Sequence, residues 1–113
     1  MTAREIGITE LHLHLEGSLF PRSAIDLARE IDHPWSRETE RSLRRSFRYL
    51  DFDHFLEKIR EMCAILSSVG ALERTARELS LFLDTHGVRY AEVYVSPLIY
   101  MRCGIPYDEI IDA

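Results

Sequence analysis

The sequence lacks the features that mark several large classes of protein. Its two cysteines, Cys63 and Cys103, lie far apart without a Cys-x-x-Cys motif, which excludes a disulfide framework and fits a reducing compartment. No segment approaches the roughly 18 consecutive apolar residues of a membrane-spanning helix. The N-terminus holds no apolar signal core, because Arg4, Glu5 and Gly7 interrupt it. We therefore expect a cytoplasmic protein that makes no membrane contact.

An excess of basic residues is also missing. The 14 lysines and arginines are outnumbered by 19 acidic residues, which gives a formal net charge of −5, whereas a nucleic-acid-binding protein normally presents a basic face. The composition is that of a globular chain, with 46% hydrophobic and 29% charged residues, and 113 residues can form one domain with a core. We expect one globular unit without a nucleic-acid partner.

Alternating leucines and histidines form the most informative stretch, Glu10-Leu11-His12-Leu13-His14-Leu15-Glu16-Gly17-Ser18. Alternation with period two predicts a strand from about Ile8 to Leu15, whose successive side chains point to opposite faces. His12 and His14 would share one face, about 6.5–7 Å apart along the strand, and the leucines would form a buried face. Two imidazoles on one face can bind one metal ion, but a structural histidine pair or a solvated face also fits this pattern.

Helical periodicity follows. One helix begins at Phe20-Pro21, carries an apolar stripe to about Ile31 and ends before Pro34. A second is predicted from Asp51 to about Leu66, with Cys63 on its apolar stripe as a packing residue. A third runs from about Ala71 to His86, where Gly87 suits a left-handed C-cap.

The segment from Ser36 to about Tyr49 is the most charged part of the chain. We expect a short solvated helix or a mobile loop there. A phosphate-binding patch is the alternative interpretation, but it is less favoured because two acidic residues interleave with the arginines. The charged residues are Arg37, Glu38, Glu40, Arg41, Arg44, Arg45 and Arg48.

A second strand is predicted from Val88 to Ser96 and ends at Pro97, and a further helix begins at Pro106. The order of strand, helices, strand and helix is a βαβ pattern, which implies parallel strands covered by helices. In a closed barrel the polar groups at the C-terminal ends of both strands would meet at the active site. Because a barrel needs eight strands in about 250 residues, the α/β fold expected here is an incomplete, N-terminal part of a (β/α)8 TIM barrel.

At these strands the chain resembles the adenosine deaminase family of metal-dependent amidohydrolases. The segment from Glu10 to Leu19 is similar to the family's opening pattern E-L-H-x-H-L-[DE]-G-[ST], and the segment from Tyr90 to Pro97 resembles Y-x-E-V-R-x-S-P. The helix from Asp51 to Leu66 resembles the segment over the substrate pocket. The resemblance implies that residues 1–113 are the N-terminal segment of a single amidohydrolase-type barrel domain.

The reaction implied by the resemblance is the zinc-dependent hydrolytic deamination of an aminopurine nucleoside, from adenosine to inosine plus ammonia. His12 and His14 match the first two zinc ligands of the family. The third zinc histidine, the aspartate ligand and the catalytic glutamate and histidine come from later strands, so no catalytic residue is assigned in this chain. We therefore expect the chain alone to be inactive as a deaminase and to hold zinc weakly.

Substrate contacts are also implied by the resemblance. Glu16 matches an acidic position that contacts the substrate, usually its sugar, and Gly17 lies beside it. Phe52 and Phe55 resemble hydrophobic residues that line the pocket entrance. Glutamate at position 16 also occurs in adenine deaminases and aminodeoxyfutalosine deaminases, and Tyr94 stands where many relatives carry arginine, so these substrates are alternatives to adenosine.

Two further hypotheses stay open. A phosphoesterase barrel can also carry a His-x-His first strand, and the chain could instead be an inactive fragment or an interaction module. The expected partners are a small aminopurine and either the remainder of the barrel or a second copy, paired through the exposed strand edges.

Overall fold

A computed structural model describes the chain from residue 1 to residue 113, with the side chains of all residues except 3 and 4. Strands β1 (Ile8–His14) and β2 (Val88–Tyr94) pair in parallel. The helices are α1 (Ala3–Ile6), α2 (Pro21–Glu30), α3 (Glu40–Ser46), α4 (Phe52–Ile65), α5 (Val69–Thr85), α6 (Pro97–Arg102) and α7 (Tyr107–Asp112), with 3-10 turns at Glu16–Ser18 and Pro34–Arg37. The predicted βαβ order and parallel pairing are confirmed.

Buried apolar side chains from α2 to α5 form most of the core, joined by Leu15, Leu19, Trp35, Tyr100, Ile105 and Ile110. Among the described side chains, the strands contribute to it only Leu13, which is half-buried. The sheet therefore lies at one side of a helical core rather than at its centre. None of the described helices has the length and apolar character that a membrane span requires.

The register of the two strands shifts along the sheet. Glu10 pairs with Ala91 and Leu13 pairs with Val93, so β1 has one residue more than β2 in this interval. Such a bulge re-aims the side chains beside it. Leu11 lies within this interval and is 58% exposed, and the prediction of a buried leucine face is wrong at this position.

Side-chain caps set the starts of two long helices. Asp51 accepts a hydrogen bond from the backbone N–H of His54 at the start of α4, at 2.8 Å. Ser68 accepts one from the N–H of Ala71 at the start of α5, at 3.1 Å. The serine cap explains why α5 begins at Val69, two residues before the predicted start.

Removal of the serine cap should destabilise the chain measurably. We expect Ser68→Ala to lower the free energy of unfolding by about 1 kcal/mol, because an N–H in the first turn loses its acceptor. Urea unfolding followed by circular dichroism measures the change. Ser67→Ala, one residue earlier, leaves the cap in place and is the matched control; an equal loss in both variants would contradict the role of the cap.

Candidate functional site

A cleft of about 510 Å³ opens where the C-terminal end of β1 meets α4 and the loop after β2. Five of the six residues predicted to form the site line this cleft: His12, His14, Glu16, Gly17 and Phe55. The sixth, Phe52, is not among the lining residues and is 69% exposed. Its ring stacks on that of Phe55, with centroids 6.1 Å apart, so it touches the site only through its neighbour.

The two histidines of β1 converge, as predicted for side chains on one face. Their Nε2 atoms are 3.0 Å apart. The ring of Tyr94, at the end of β2, stacks on both imidazoles, with centroid distances of 4.6 Å to His12 and 5.5 Å to His14. Tyr94 therefore restricts the orientation of the pair, a role that its strand position did not reveal.

This geometry fits two ligands of one zinc ion. Two imidazole nitrogens at about 2.0–2.1 Å from a tetrahedral zinc lie about 3.3 Å from each other, close to the separation of the His12 and His14 Nε2 atoms. Among the described side chains, no group of three or more His, Cys, Asp or Glu is arranged to hold a metal ion. The chain thus contributes a histidine pair, and further ligands would have to come from elsewhere.

Glu16 is the buried polar group of the cleft, with only 3% of its surface exposed. Its Oε1 accepts a hydrogen bond from the backbone N–H of Ser96 at 2.8 Å. Because Glu16 follows β1 and Ser96 follows β2, this bond joins the C-terminal ends of both strands. Packing does not require glycine at the neighbouring position 17, because a Cβ added to Gly17 would meet no atom within 4 Å.

Two proton-bearing side chains lie buried near the Glu16 carboxylate. Its Oε2 and the hydroxyl of Tyr100 are both buried without a hydrogen-bond partner among the described residues. Burial, followed by the negative charge of Glu16, raises the pKa of Tyr100 well above its usual range. Burial, followed by the charges of Glu16 and Cys103, also raises the pKa of Cys63 to about 11. Both groups are thus neutral near pH 7.

A parallel βαβ unit with paired histidines and a buried carboxylate at the C-terminal end of its strands has the organisation of the active-site end of a β/α-barrel enzyme. The comparisons with known proteins agree with this class. Residues 8–113 match the sequence model of the adenosine deaminase family. The chain belongs to this family, which confirms the resemblance.

Individual relatives divide between two activities. The chain is 32% identical over 108 residues to adenosine deaminase of Mycobacteroides abscessus, covering 91% of this chain and 30% of that protein. It is 30% identical over 103 residues to adenine deaminase of Streptomyces coelicolor, again covering 91% of this chain and 30% of the relative. The chain thus spans about a third of the length of the curated relatives that it matches.

A solved structure supports the same fold. The crystal structure of adenine deaminase from Arthrobacter aurescens superposes with a TM-score of 0.79 at 25% sequence identity. The match covers 94% of this chain and 34% of that chain. The predicted fold class is confirmed, because the two parallel strands and their helices correspond to part of a TIM barrel.

Proposed function

We propose that this chain forms the N-terminal part of the active site of a zinc-dependent deaminase that converts adenosine to inosine and ammonia. The observation that carries the proposal is the convergence of the His12 and His14 Nε2 atoms, 3.0 Å apart, beside a cleft of about 510 Å³. The family match supports the same reaction class. We also propose that residues 1–113 are the N-terminal segment of a single barrel domain and that the enzyme is cytoplasmic.

In the proposed enzyme, His12 and His14 hold zinc together with ligands from outside this chain. Zinc, when bound in such a site, supplies a water whose pKa is close to neutral. The other residues of this chain would orient the two histidines and enclose the substrate. Tyr94 orients the imidazole pair, a role that its stacking on both rings supports. Phe55, Leu56 and Ile59 give the cleft an apolar wall against which a purine ring can pack.

Glu16 is the proposed contact to the substrate. Its Oε1 is held by Ser96, while its Oε2 has no partner among the described residues. The Glu16 side chain lines the cleft, and its carboxylate would accept a hydrogen bond from a sugar hydroxyl if the bound substrate reaches its buried Oε2. Adenine has no sugar, so the alternative substrate would leave this oxygen unused. We retain adenine and aminodeoxyfutalosine as alternatives, and the adenine deaminases among the similar proteins favour the first of them.

The histidine pair is tested by zinc affinity. We expect His12→Ala/His14→Ala to weaken zinc binding by the chain at least about tenfold, because both protein ligands are removed. Competition with a chromogenic chelator measures the affinity. His86→Ala, which removes an exposed histidine at the C-terminal end of α5, is the control and should leave the affinity unchanged. An unchanged affinity in the double variant would overturn the proposed metal site.

Activity is tested separately. We expect no turnover of adenosine by residues 1–113 alone, and turnover by a protein that includes the rest of the barrel. In that longer protein, His12→Ala and His14→Ala should each abolish deamination, which is measured as ammonia release. Turnover by the 113-residue chain that disappears in His12→Ala would show that the ligands present here suffice.

The remaining proposal concerns the open edges of the sheet. In the described sheet β1 and β2 pair only with each other, and unpaired strand edges recruit further strands. Since the similar proteins are about three times longer, we propose the rest of the barrel as the occupant of these edges. Size-exclusion chromatography of the isolated chain tests this, and a stable monomer would contradict the need for a partner.

A further inference from the structure

Four arginines line a separate concavity of about 360 Å³ that shares no residue with the cleft. These residues are Arg41, Arg44, Arg45 and Arg48. Their spacing of three, four and seven residues places them on one face of α3 and of the turn that follows it. The concavity is thus built from guanidinium-bearing side chains.

The acidic residues that interleave with arginine in the sequence do not line this concavity. Glu38 and Glu40 lie at the N-terminal end of α3, where negative charge is favourable. The carboxylate of Glu38 accepts a hydrogen bond from the Ser42 hydroxyl. From residue 41 to residue 50 the sequence has no acidic residue. The folded helix therefore separates charges that are mixed along the chain.

Two arginines elsewhere in the fold, Arg29 and Arg74, are paired with carboxylates. Asp26 contacts Arg29 at 3.1 Å and Arg74 at 3.0 Å, and Arg74 also contacts Glu78 at 2.9 Å. Within the described part of the chain, no such ion pair involves the four arginines of the concavity. Like charges at helical spacing repel, so an anion in the concavity would relieve a repulsion that the chain itself leaves uncompensated.

The opposite face of α3 is anchored in the core. Leu43 is fully buried, and the ring of Phe47 meets that of Trp35 edge-on, with centroids 5.7 Å apart. A capping box between Thr39 and Ser42 fixes the start of the helix. The backbone that carries the four arginines is therefore held in place.

We propose that this concavity is a binding site for a small anion with two or more phosphoryl groups, such as an oligophosphate. Planar guanidinium groups suit phosphate oxygens, which they contact through paired hydrogen bonds. A single phosphoryl group carries about −1.5 to −2 charges near pH 7, which matches only half of the positive charge of four arginines. A chain of two or three phosphoryl groups balances the site and extends along the helix face.

Calorimetric titration of the 113-residue chain with tripolyphosphate tests the site. Arg44→Gln/Arg48→Gln should bind it at least about tenfold more weakly, because two charge-assisted contacts are lost. Arg22→Gln/Arg77→Gln, on α2 and α5, makes the same change in net charge and should bind within about twofold of the unchanged chain. Equal weakening by both double variants would overturn the site and show general charge attraction only.

Titrations with other phosphate-containing ligands distinguish which kind of molecule the site recognises. Adenosine triphosphate should bind about as tightly as tripolyphosphate, and orthophosphate about tenfold more weakly, if the phosphate chain alone is recognised. Tighter binding of a DNA duplex that is lost in Arg44→Gln/Arg48→Gln would overturn the small-anion proposal in favour of nucleic acid. Thermal unfolding checks that each variant is folded, and Arg41→Gln replaces the double variant if it is not.

Discussion

Replacing Leu72 with alanine is expected to lower the free energy of unfolding by about 2–5 kcal/mol. Leu72 lies in the first half of α5 and is 2% exposed, within the main core cluster. Its truncation removes buried apolar surface and leaves a cavity that tightly packed neighbours fill only in part. Urea unfolding at neutral pH measures the loss, provided that the slope of the transition is unchanged.

The matched control is the same substitution on the same helix. Leu81 also lies on α5 but is 62% exposed, so Leu81→Ala should change stability by no more than about 0.5 kcal/mol. A large difference between the two variants shows that α5 is docked by its apolar face. Equal small effects would contradict this packing and would mean that the isolated chain has no fixed core.

The elements of the fold could be predicted from periodicity because their apolar residues face a helical core. α2, α4 and α5 appear where the helical stripes indicate, and Gly87, with φ of 76°, ends α5 as its C-cap position predicts. The helix that begins at Pro97 was missed. Proline at this position indicates the end of a strand, although its fixed φ also suits the first turn of a helix.

The parts of the site that follow from one strand were predictable, and those that depend on contacts between strands were not. His12 and His14 converge because they alternate on β1, a pattern visible in the sequence. Leu11 lies where the register against β2 shifts and is exposed, which no local pattern reveals. The stacking of Tyr94 and the bond from Ser96 to Glu16 join residues about 80 positions apart, so only the folded chain shows them.

The arginine-rich segment shows the same distinction for charge. The sequence predicts a short solvated helix or a mobile loop there, and the structure has a short helix, α3. The mixture of acidic and basic residues along the sequence argued against an anion site. Helical spacing sorts these residues into an acidic end and a basic face, an arrangement that the order of charges along the sequence does not show.

Stability is expected to fall steeply in alkali because of one buried thiol. The pKa of Cys63 is raised from 9.0 to about 11, chiefly by burial, so the folded state retains the proton after the unfolded state has lost it. Below pH 9 both states are protonated and the thiol has no effect on stability. Between pH 9 and 11 the free energy of unfolding should fall by up to about 1.4 kcal/mol per pH unit, reaching about 2 kcal/mol at pH 11.

Cysteine variants separate this effect from general alkaline unfolding. Cys63→Ala removes the titrating group and should reduce the alkaline loss of stability by about 2 kcal/mol. Cys103→Ala removes an exposed thiol and should leave most of that loss in place.

The raised pKa of Tyr100 contributes a further loss of stability at higher pH, because its hydroxyl is also buried beside Glu16. Glu16→Gln should therefore shift both transitions to lower pH, since the neighbouring negative charge that disfavours thiolate and phenolate is gone. If the alkaline profile were the same in Cys63→Ala and Cys103→Ala, the Cys63 thiol would not be buried beside the Glu16 carboxylate, and the described arrangement of these two side chains would be wrong.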